Sequence, residues 1–120
     1  MIPRNDGTRN DHMPRGFVYI LTNKHNTTLY VGVTSDLFTR TTRHREKLFP
    51  KSFSARYNLN KLVYFEVFDS IIDAIAREKN LKAGSRKAKV GLINKYNPEW
   101  KDLFDMIADE GWDESPLIHR

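Results

Sequence analysis

The sequence predicts one α/β domain, with strands and helices in the order β-β-α-β-α-α. The first observation is length, because 120 residues suffice for one core of modest size but not for two. The second is a pair of short apolar runs, residues 17–22 and 29–33, which flank a polar turn and therefore indicate a hairpin. The third is an apolar strand at 62–68 that separates stretches of helical periodicity.

The hairpin is expected to place two tyrosines side by side. If residues 23–26 form its loop, Tyr19 falls opposite Tyr30, and both phenols point to the same face of the sheet. Gly32 then leaves open backbone beside them, where a ligand could lie. The alternative is that both tyrosines simply pack in the core, since tyrosine is a common strand residue.

The helices are predicted from their caps and from the spacing of apolar residues. Asp36, Ser70 and Ser85 are suitable N-caps, and Asn97 before Pro98 is typical of the start of a further helix. The expected helical segments run over about 36–48, 71–83, 86–96 and 99–108.

The two ends of the chain are expected to lie outside the domain, which then spans residues 16–108. Residues 1–15 show no hydrophobic period and are rich in Pro, Gly, Asn and Asp, which predicts a disordered lead. His12–Met13 resembles a cloning junction, so part of this lead is a candidate tag remnant. Residues 109–120 are predicted to form an acidic flexible tail.

Charge is distributed unevenly along the chain. The formal net charge is +5, but residues 16–97 carry +9 and residues 98–120 carry −5. A basic body is the electrostatic signature of a polyanion-binding protein, because lysine and arginine that neutralise phosphates release counterions. An ordinary soluble surface is the alternative interpretation.

Composition narrows the classes of function. The chain has no cysteine, which excludes disulfides and thiolate zinc sites and makes the cytoplasm the default expectation. No apolar run approaches the roughly 20 residues needed to cross a bilayer, so no membrane association is expected. The start of the chain lacks the apolar stretch of a secretory signal.

The first helix carries Arg40 and His44 one turn apart on the same side. A guanidinium suits a phosphate oxygen, and an imidazole can move a proton near neutral pH. The alternative is that these residues belong to an ordinary solvated helix face.

Glu78 interrupts the apolar stripe of the next helix, whose other members are Ile71, Ala74, Ile75 and Leu81. A carboxylate at such a position is costly unless it is paired or binds a cation. It either lies at the edge of the stripe and pairs with Lys82 or Arg77, or it projects into a cleft and holds a metal. One carboxylate, completed by water and substrate oxygens, suits Mg²⁺.

The order Tyr, Tyr-x-Gly, Arg-x-x-x-His and then Glu resembles the GIY-YIG nuclease family. Phe17-Val18-Tyr19 and Tyr30-Val31-Gly32 correspond to its two defining motifs. The segments LYVGVTSDL, LVYFEVF, AIAREKNLKAGSRKAK and LINKYNPEW are similar to its small standalone bacterial members, which themselves resemble the nuclease domain of bacterial excinuclease C. The resemblance covers about residues 16–108 and implies a small three-stranded antiparallel or mixed sheet flanked by helices.

The resemblance also implies a function and a site. The implied function is a metal-dependent endonuclease that hydrolyses phosphodiester bonds in DNA with Mg²⁺ or Mn²⁺, without a small-molecule cofactor, and with DNA repair as a setting. Tyr19 and Tyr30 are assigned to the catalytic face, Arg40 to the scissile phosphate, His44 to proton transfer and Glu78 to the metal. Gly32 is assigned to the floor of the site. The last motif residue is Asn97, with Asn94 as a second candidate and the helix cap as the alternative role of Asn97.

Further basic residues are expected to contact nucleic acid on two sides of the site. They are Arg43, Arg45, Lys47, Lys51, Arg56, Lys82, Arg86, Lys87 and Lys89. One alternative is a DNA- or RNA-binding module on the same fold with little or no turnover, and another is a domain whose basic face docks on an acidic protein. A homodimer is left open.

Overall fold

The computed structural model describes residues 14–45, 57–109 and 118–119, without the side chains of 43–45, 108–109 and 118–119. Three antiparallel strands form the sheet that the sequence predicts, namely β1 Gly16–Thr22, β2 Leu29–Thr34 and β3 Lys61–Phe68. A short strand that the sequence did not predict, β4 Ile118–His119, pairs in parallel with β3. The order across the sheet is β2-β1-β3-β4.

Helices follow the predicted order, and the first three begin directly after their predicted caps. Their bounds are α1 Leu37–Arg45, α2 Ile71–Ala83, α3 Arg86–Tyr96 and α4 Phe104–Asp109. The side chains of Asp36, Ser70 and Ser85 accept hydrogen bonds from the backbone N–H groups of Thr39, Ile72 and Ala88, respectively. These bonds satisfy N–H groups that a helix start leaves without an intrahelical partner.

The expected role of Asn97 as the cap of a final helix is wrong. The last helix begins at Phe104, and residues 98–99 form a turn. Asn97 is instead the C-cap of α3, where its backbone N–H donates to the Ile93 carbonyl at 2.7 Å. The Asn-Pro pair therefore marks the end of one helix rather than the start of the next.

The hairpin register also differs from the expectation. Tyr19 lies opposite Gly32, and Tyr30 lies opposite Leu21. The loop has six residues, 23–28, because the Asn23 side-chain oxygen accepts hydrogen bonds from the backbone N–H groups of Thr27 and Thr28. These two bonds stabilise a longer turn than the one predicted.

The sheet packs apolar side chains on both faces. On one face Phe17 and Leu21 of β1 pack with Leu37 of α1 and Ile107 of α4. On the other, Val18 and Ile20 pack with Ala74 and Leu81 of α2 and with Ile93 of α3. The central strand β1 is buried along its whole length, so helices from both layers are held against it.

Gly16 lets α2 approach β1 closely. A Cβ atom at residue 16 would lie 2.8 Å from the Cα atom of Ile71, which is too close for any side chain. The backbone N–H of Ile71 also donates to the carbonyl of Pro14 at 2.9 Å. This contact fixes the start of α2. Pro14, which was predicted to belong to the disordered lead, therefore has a defined partner in the domain.

A buried ion pair joins α2 to β3. Glu66 is fully buried on β3, and Arg77 of α2 donates through Nε and Nη2 to its two carboxylate oxygens, each at 3.0 Å. The Tyr64 hydroxyl donates to the same carboxylate. A bidentate Arg–carboxylate pair fixes both distance and orientation, so it helps to set where Glu78, one residue after Arg77, projects.

Among the described residues, no helix is both long enough and apolar enough to span a bilayer. Residues 1–13, most of the predicted lead, lie outside the described residues, as do 110–117 and 120 of the predicted acidic tail.

Candidate active site

Tyr19 and Tyr30 share one face of the sheet, although they are not directly opposed. Cross-strand partners point to the same side, so Tyr19 and Gly32 form one pair and Leu21 and Tyr30 form the next. The two tyrosines are therefore diagonal neighbours, with ring centroids 6.3 Å apart and ring planes inclined by 47°. The expectation that the phenols meet is confirmed, while the expected direct pairing of the two residues is wrong.

The backbone at Gly32 is covered by the Tyr19 ring, and it does not form the open floor that the sequence suggested. A Cβ atom at residue 32 would collide with the Cζ and hydroxyl atoms of Tyr19. Glycine is thus needed here because an aromatic ring occupies the space above the backbone. The contact places the Tyr19 hydroxyl at β2, which is one of the two edge strands of the described sheet.

Replacing Gly32 with alanine is expected to displace Tyr19 and lower the free energy of unfolding by about 1–3 kcal/mol, as overpacking does elsewhere. Thermal and urea unfolding measure the change. Gly91 is the matched control, because nothing lies within 4 Å of the Cβ that alanine would add in helix α3. Gly91→Ala should raise stability by about 0.5–1 kcal/mol. Equal effects of the two substitutions would contradict the close contact at Gly32.

Arg40 is brought to Tyr19 by α1. Its side chain is half-buried, and it forms a hydrogen bond with the Tyr19 side chain. The helix begins after Thr34 and Asp36, which tie the end of β2 to the helix start: the Asp36 backbone N–H donates to the Thr34 hydroxyl at 3.1 Å. The short connection aims the first turns of α1 at the tyrosine face.

The Tyr19 phenol is held in its neutral form. Burial raises its pKa well above the ordinary value near 10, and the neighbouring Tyr30 and Glu78 raise it further, while the charge and hydrogen bond of Arg40 act in the opposite direction. Burial outweighs Arg40, so the Tyr19 phenol stays protonated to a higher pH than an exposed tyrosine does. It can therefore donate a hydrogen bond but is a poor base in this state.

Glu78 reaches the same region from α2, which packs against β1 and β2. Glu78 is only 9 % exposed, whereas Ile75, which was expected in the apolar stripe, is 38 % exposed. The buried face of α2 thus contains the carboxylate in place of the isoleucine. Oε2 of Glu78 lies 2.6 Å from Nζ of Lys82, so the pairing expected with Lys82 is confirmed. Arg77, the other expected partner, is bonded to Glu66.

A cleft of about 350 Å³ lies between β2 and the helices α2 and α3. Its described lining residues are Leu29, Tyr30, Val31, Lys82 and Lys89. A larger cleft of about 430 Å³ lies at the hairpin-loop end of the sheet, beside Lys24, Asn60, Lys61 and Asp102. Three of the predicted residues, Tyr30, Lys82 and Lys89, line the smaller cleft, and Lys82 is also the partner of Glu78.

Asn97 is engaged in backbone hydrogen bonds. Its Nδ2 donates to the carbonyls of Val63 and Lys101, both at 2.9 Å, and its Oδ1 accepts from the Lys101 N–H at 3.1 Å. These bonds hold the chain after α3 against β3, which is a structural role. Asn94, the second candidate, accepts a hydrogen bond from the Trp100 indole. A role for either in catalysis stays a prediction.

Several predicted residues cannot be placed. His44 belongs to helix α1, but its side chain is outside the described residues, as are those of Arg43 and Arg45. Lys47, Lys51 and Arg56 are outside the described residues altogether. Of the other basic residues, Lys87 is exposed, Nη2 of Arg86 donates to the carbonyl of Asn26, and Nζ of Lys89 donates to that of Gly84.

Comparison with known proteins identifies the family. Residues 15–97, well over half of the chain, match the family model described as the GIY-YIG catalytic domain. The chain belongs to the GIY-YIG family. A UPF0213 protein of Syntrophus aciditrophicus (strain SB) is 34% identical over 87 residues, which is 72% of this chain and 98% of the relative. A UPF0213 protein of Pediococcus pentosaceus is 34% identical over 80 residues, 67% of this chain and 83% of the relative. No solved structure gives a significant match.

The donor set of this GIY-YIG domain fits a cation that keeps most of its own water. In the part of the chain that the structure describes, no three His, Asp or Glu side chains cluster closely enough to hold a metal by themselves. Glu78 offers one nearly buried carboxylate whose Oε2 already contacts a cation, the Lys82 ammonium. A single carboxylate suits Mg²⁺ or Mn²⁺ completed by water and phosphate oxygens and does not suit a structural zinc ion.

The ion pair between Glu66 of β3 and Arg77 of α2 was not predicted from the sequence. Glu66 interrupts the apolar run LVYFEVF in the same way that Glu78 interrupts its helix, and this signal could have indicated a buried carboxylate with a basic partner. The sequence suggested Arg77 only as a partner for Glu78, because helical spacing shows neighbours on one helix and not contacts with a strand.

Proposed function

We propose that the protein is a divalent-metal-dependent endonuclease that hydrolyses phosphodiester bonds in DNA, acting in the cytoplasm. The observation that carries the proposal is the grouping of Tyr30, Arg40 and Glu78 about Tyr19, whose ring packs on Gly32 of the edge strand β2. Membership of the GIY-YIG family supports a nuclease function for this convergence.

The proposed reaction uses the charges and hydrogen-bond donors of the site. Arg40 binds the scissile phosphate and offsets the charge that develops on it. Glu78 would hold Mg²⁺ or Mn²⁺, which supplies Lewis-acid stabilisation of the leaving oxygen. The neutral Tyr19 phenol donates a hydrogen bond toward the reacting group, and Tyr30 orients the attacking water.

Burial raises the pKa of the Tyr19 phenol, so we assign removal of the proton from the water to a group other than Tyr19. His44, one turn after Arg40 on α1, is proposed for this transfer, either directly or through Tyr30. Asn97 is proposed to act indirectly, by holding the segment after α3 against β3.

The experiment that tests the proposal is a cleavage assay on single-stranded, flap and duplex DNA, and on matched RNA. Each substrate is incubated with Mg²⁺, with Mn²⁺ and with EDTA. Cleavage of at least one DNA substrate that EDTA abolishes supports the proposal. Binding without metal-dependent cleavage of any substrate would favour the second candidate function, a DNA- or RNA-binding module with little or no turnover. The Glu78–Lys82 ion pair favours that second candidate, since it occupies the proposed metal ligand.

Binding to nucleic acid is expected to weaken steeply with salt. Of the described basic residues, Lys82 and Lys89 line the cleft, and Arg86 and Lys87 lie at the start of helix α3. Each phosphate contact to duplex DNA contributes about −0.9 to the slope of log K against log salt. Fluorescence anisotropy between 50 and 300 mM NaCl, roughly the range where counterion release dominates, measures the slope.

Lys89→Gln is expected to reduce the magnitude of that slope by about one unit. Lys79→Gln is the control, because it removes the same charge from the exposed surface of α2 and Lys79 is not among the residues that line the cleft. A slope that is flat in the parent protein would contradict phosphate binding by this surface.

A further inference from the structure

Lys82 occupies the carboxylate that the proposed function assigns to the metal. Its Nζ lies 2.6 Å from Oε2 of Glu78, and the two side chains are 52 % and 11 % exposed, respectively. The glutamate precedes the lysine by four residues on one helix, which is the favourable orientation for such a pair. The ammonium therefore serves as a built-in counter-ion for a carboxylate that would be costly if buried alone.

The same ammonium belongs to the cleft. Lys82 lines it together with Tyr30 and Lys89, so one side chain both borders the cleft and contacts the Glu78 carboxylate. The long, half-exposed side chain can reach either partner. Lys89 differs, because its Nζ donates to the backbone carbonyl of Gly84, which carries no net charge.

A divalent ion and the Lys82 ammonium repel each other when both approach the Glu78 carboxylate, so the two compete for it. A divalent ion that binds Glu78 therefore favours release of Lys82, and the released ammonium needs a new anion. A phosphate of the nucleic acid in the cleft provides one. By linkage, phosphate that takes up Lys82 favours metal at Glu78, and metal at Glu78 favours phosphate at Lys82.

We propose that Lys82 is a positioning residue that closes the Glu78 site when no substrate is bound and transfers to a substrate phosphate when the metal binds. The inference rests on the proposed function, because it assumes that Glu78 is the metal ligand. It adds that Lys82 lowers the affinity of the site for the metal in the free protein and that bound nucleic acid raises this affinity.

The test is Mn²⁺ binding to the full chain, without nucleic acid, measured by isothermal titration calorimetry. Lys82→Met removes the ammonium but keeps a long apolar side chain, and the dissociation constant for Mn²⁺ should fall by about fivefold, the equivalent of about 1 kcal/mol for a partly exposed pair. Lys82→Arg keeps the charge and should bind Mn²⁺ as weakly as the parent protein. Lys79→Met is the matched control for loss of one charge from α2 and should change the constant less than twofold, roughly the limit for a screened surface charge.

Thermal unfolding gives a second measurement. Without metal, Lys82→Met should unfold at a lower temperature than the parent, because the carboxylate has lost its counter-ion. Mn²⁺ should then raise the unfolding temperature of Lys82→Met more than that of the parent. A merely structural lysine would lower the unfolding temperature and leave the Mn²⁺ dissociation constant unchanged.

The outcomes separate this inference from the proposed function. If Glu78→Gln abolishes Mn²⁺ binding but Lys82→Met binds with the parent's constant, the inference about Lys82 is overturned and the metal site stands. If Glu78→Gln binds Mn²⁺ as well as the parent does, Glu78 is not the metal ligand. The inference about Lys82 and the metal assignment in the proposed function are then both wrong. Failure of every variant, Lys82→Met included, to bind Mn²⁺ would also overturn the inference, since removing the competing ammonium should make the site measurable.

Discussion

Replacing Arg77 with methionine is expected to lower the free energy of unfolding by about 3–5 kcal/mol, the usual loss when one partner of a buried ion pair is removed. Glu66 is fully buried and receives two hydrogen bonds of 3.0 Å from the Arg77 guanidinium. Without that guanidinium, only the Tyr64 hydroxyl among these bonds would remain at the carboxylate. Urea unfolding followed by circular dichroism measures the loss.

Two further variants sharpen this prediction. Arg86→Met removes an exposed arginine whose guanidinium donates to a backbone carbonyl, and the change should be within about 0.5 kcal/mol. The double variant Arg77→Met with Glu66→Gln should be more stable than Arg77→Met alone, because the buried negative charge is gone. A loss below about 1 kcal/mol for Arg77→Met, which is typical of surface pairs, would contradict the structure of this contact.

The sequence could predict helices α2 and α3 because their signals are local. Ser70 and Ser85 cap them, and apolar residues repeat with the helical period from those caps to the ends of the helices. Gly84 and Asn97 lie directly after the last residues of α2 and α3. Local caps and periodicity depend on few residues, so they are read reliably from the chain alone.

The hairpin and the final helix could not be predicted in the same way. The loop length depends on which backbone groups the Asn23 side chain bonds, and Asn-Gly or Asp-Gly signals that would fix a short turn are missing from it. Asn97 binds Val63, 34 positions earlier in the chain. The pairing of β4 with β3 joins residues that are more than 50 positions apart, and such contacts leave no local pattern.

The order of the candidate site residues could be read from the sequence, but their geometry could not. Tyr19, Tyr30, Arg40 and Glu78 follow in an order that resembles a known family, and the structure brings them together. The role of Gly32 depends on a contact across two strands with the Tyr19 ring. Likewise, the raised pKa of Tyr19 depends on how deeply the ring is buried, which the sequence does not show.

Glu78→Gln is expected to abolish metal-dependent cleavage while preserving the fold. The substitution keeps the size of the side chain but removes the charge that would hold the cation, and loss of Lewis-acid stabilisation worth several kcal/mol slows cleavage by about a hundredfold or more. Single-turnover cleavage of the best DNA substrate, at saturating Mg²⁺, measures the change.

Asp73→Asn is the matched control for this substitution. It removes a carboxylate from the same helix, but Asp73 is exposed in the first turn of α2. Its cleavage rate should equal that of the parent, and its stability should change by about 0.5 kcal/mol or less. A rate for Glu78→Gln within twofold of that for Asp73→Asn would show that Glu78 is a structural salt-bridge partner.

The most direct measurement compares single-turnover DNA cleavage by the parent with cleavage by Tyr19→Phe, Arg40→Ala and Glu78→Gln, each with Mg²⁺ and with EDTA. Circular dichroism and thermal unfolding confirm that each variant is folded. We expect the parent to cleave only with Mg²⁺ and all three folded variants to lose most of that activity, because each removes a different group from one site. Cleavage by all three variants at the parent's rate would contradict the assignment of this site.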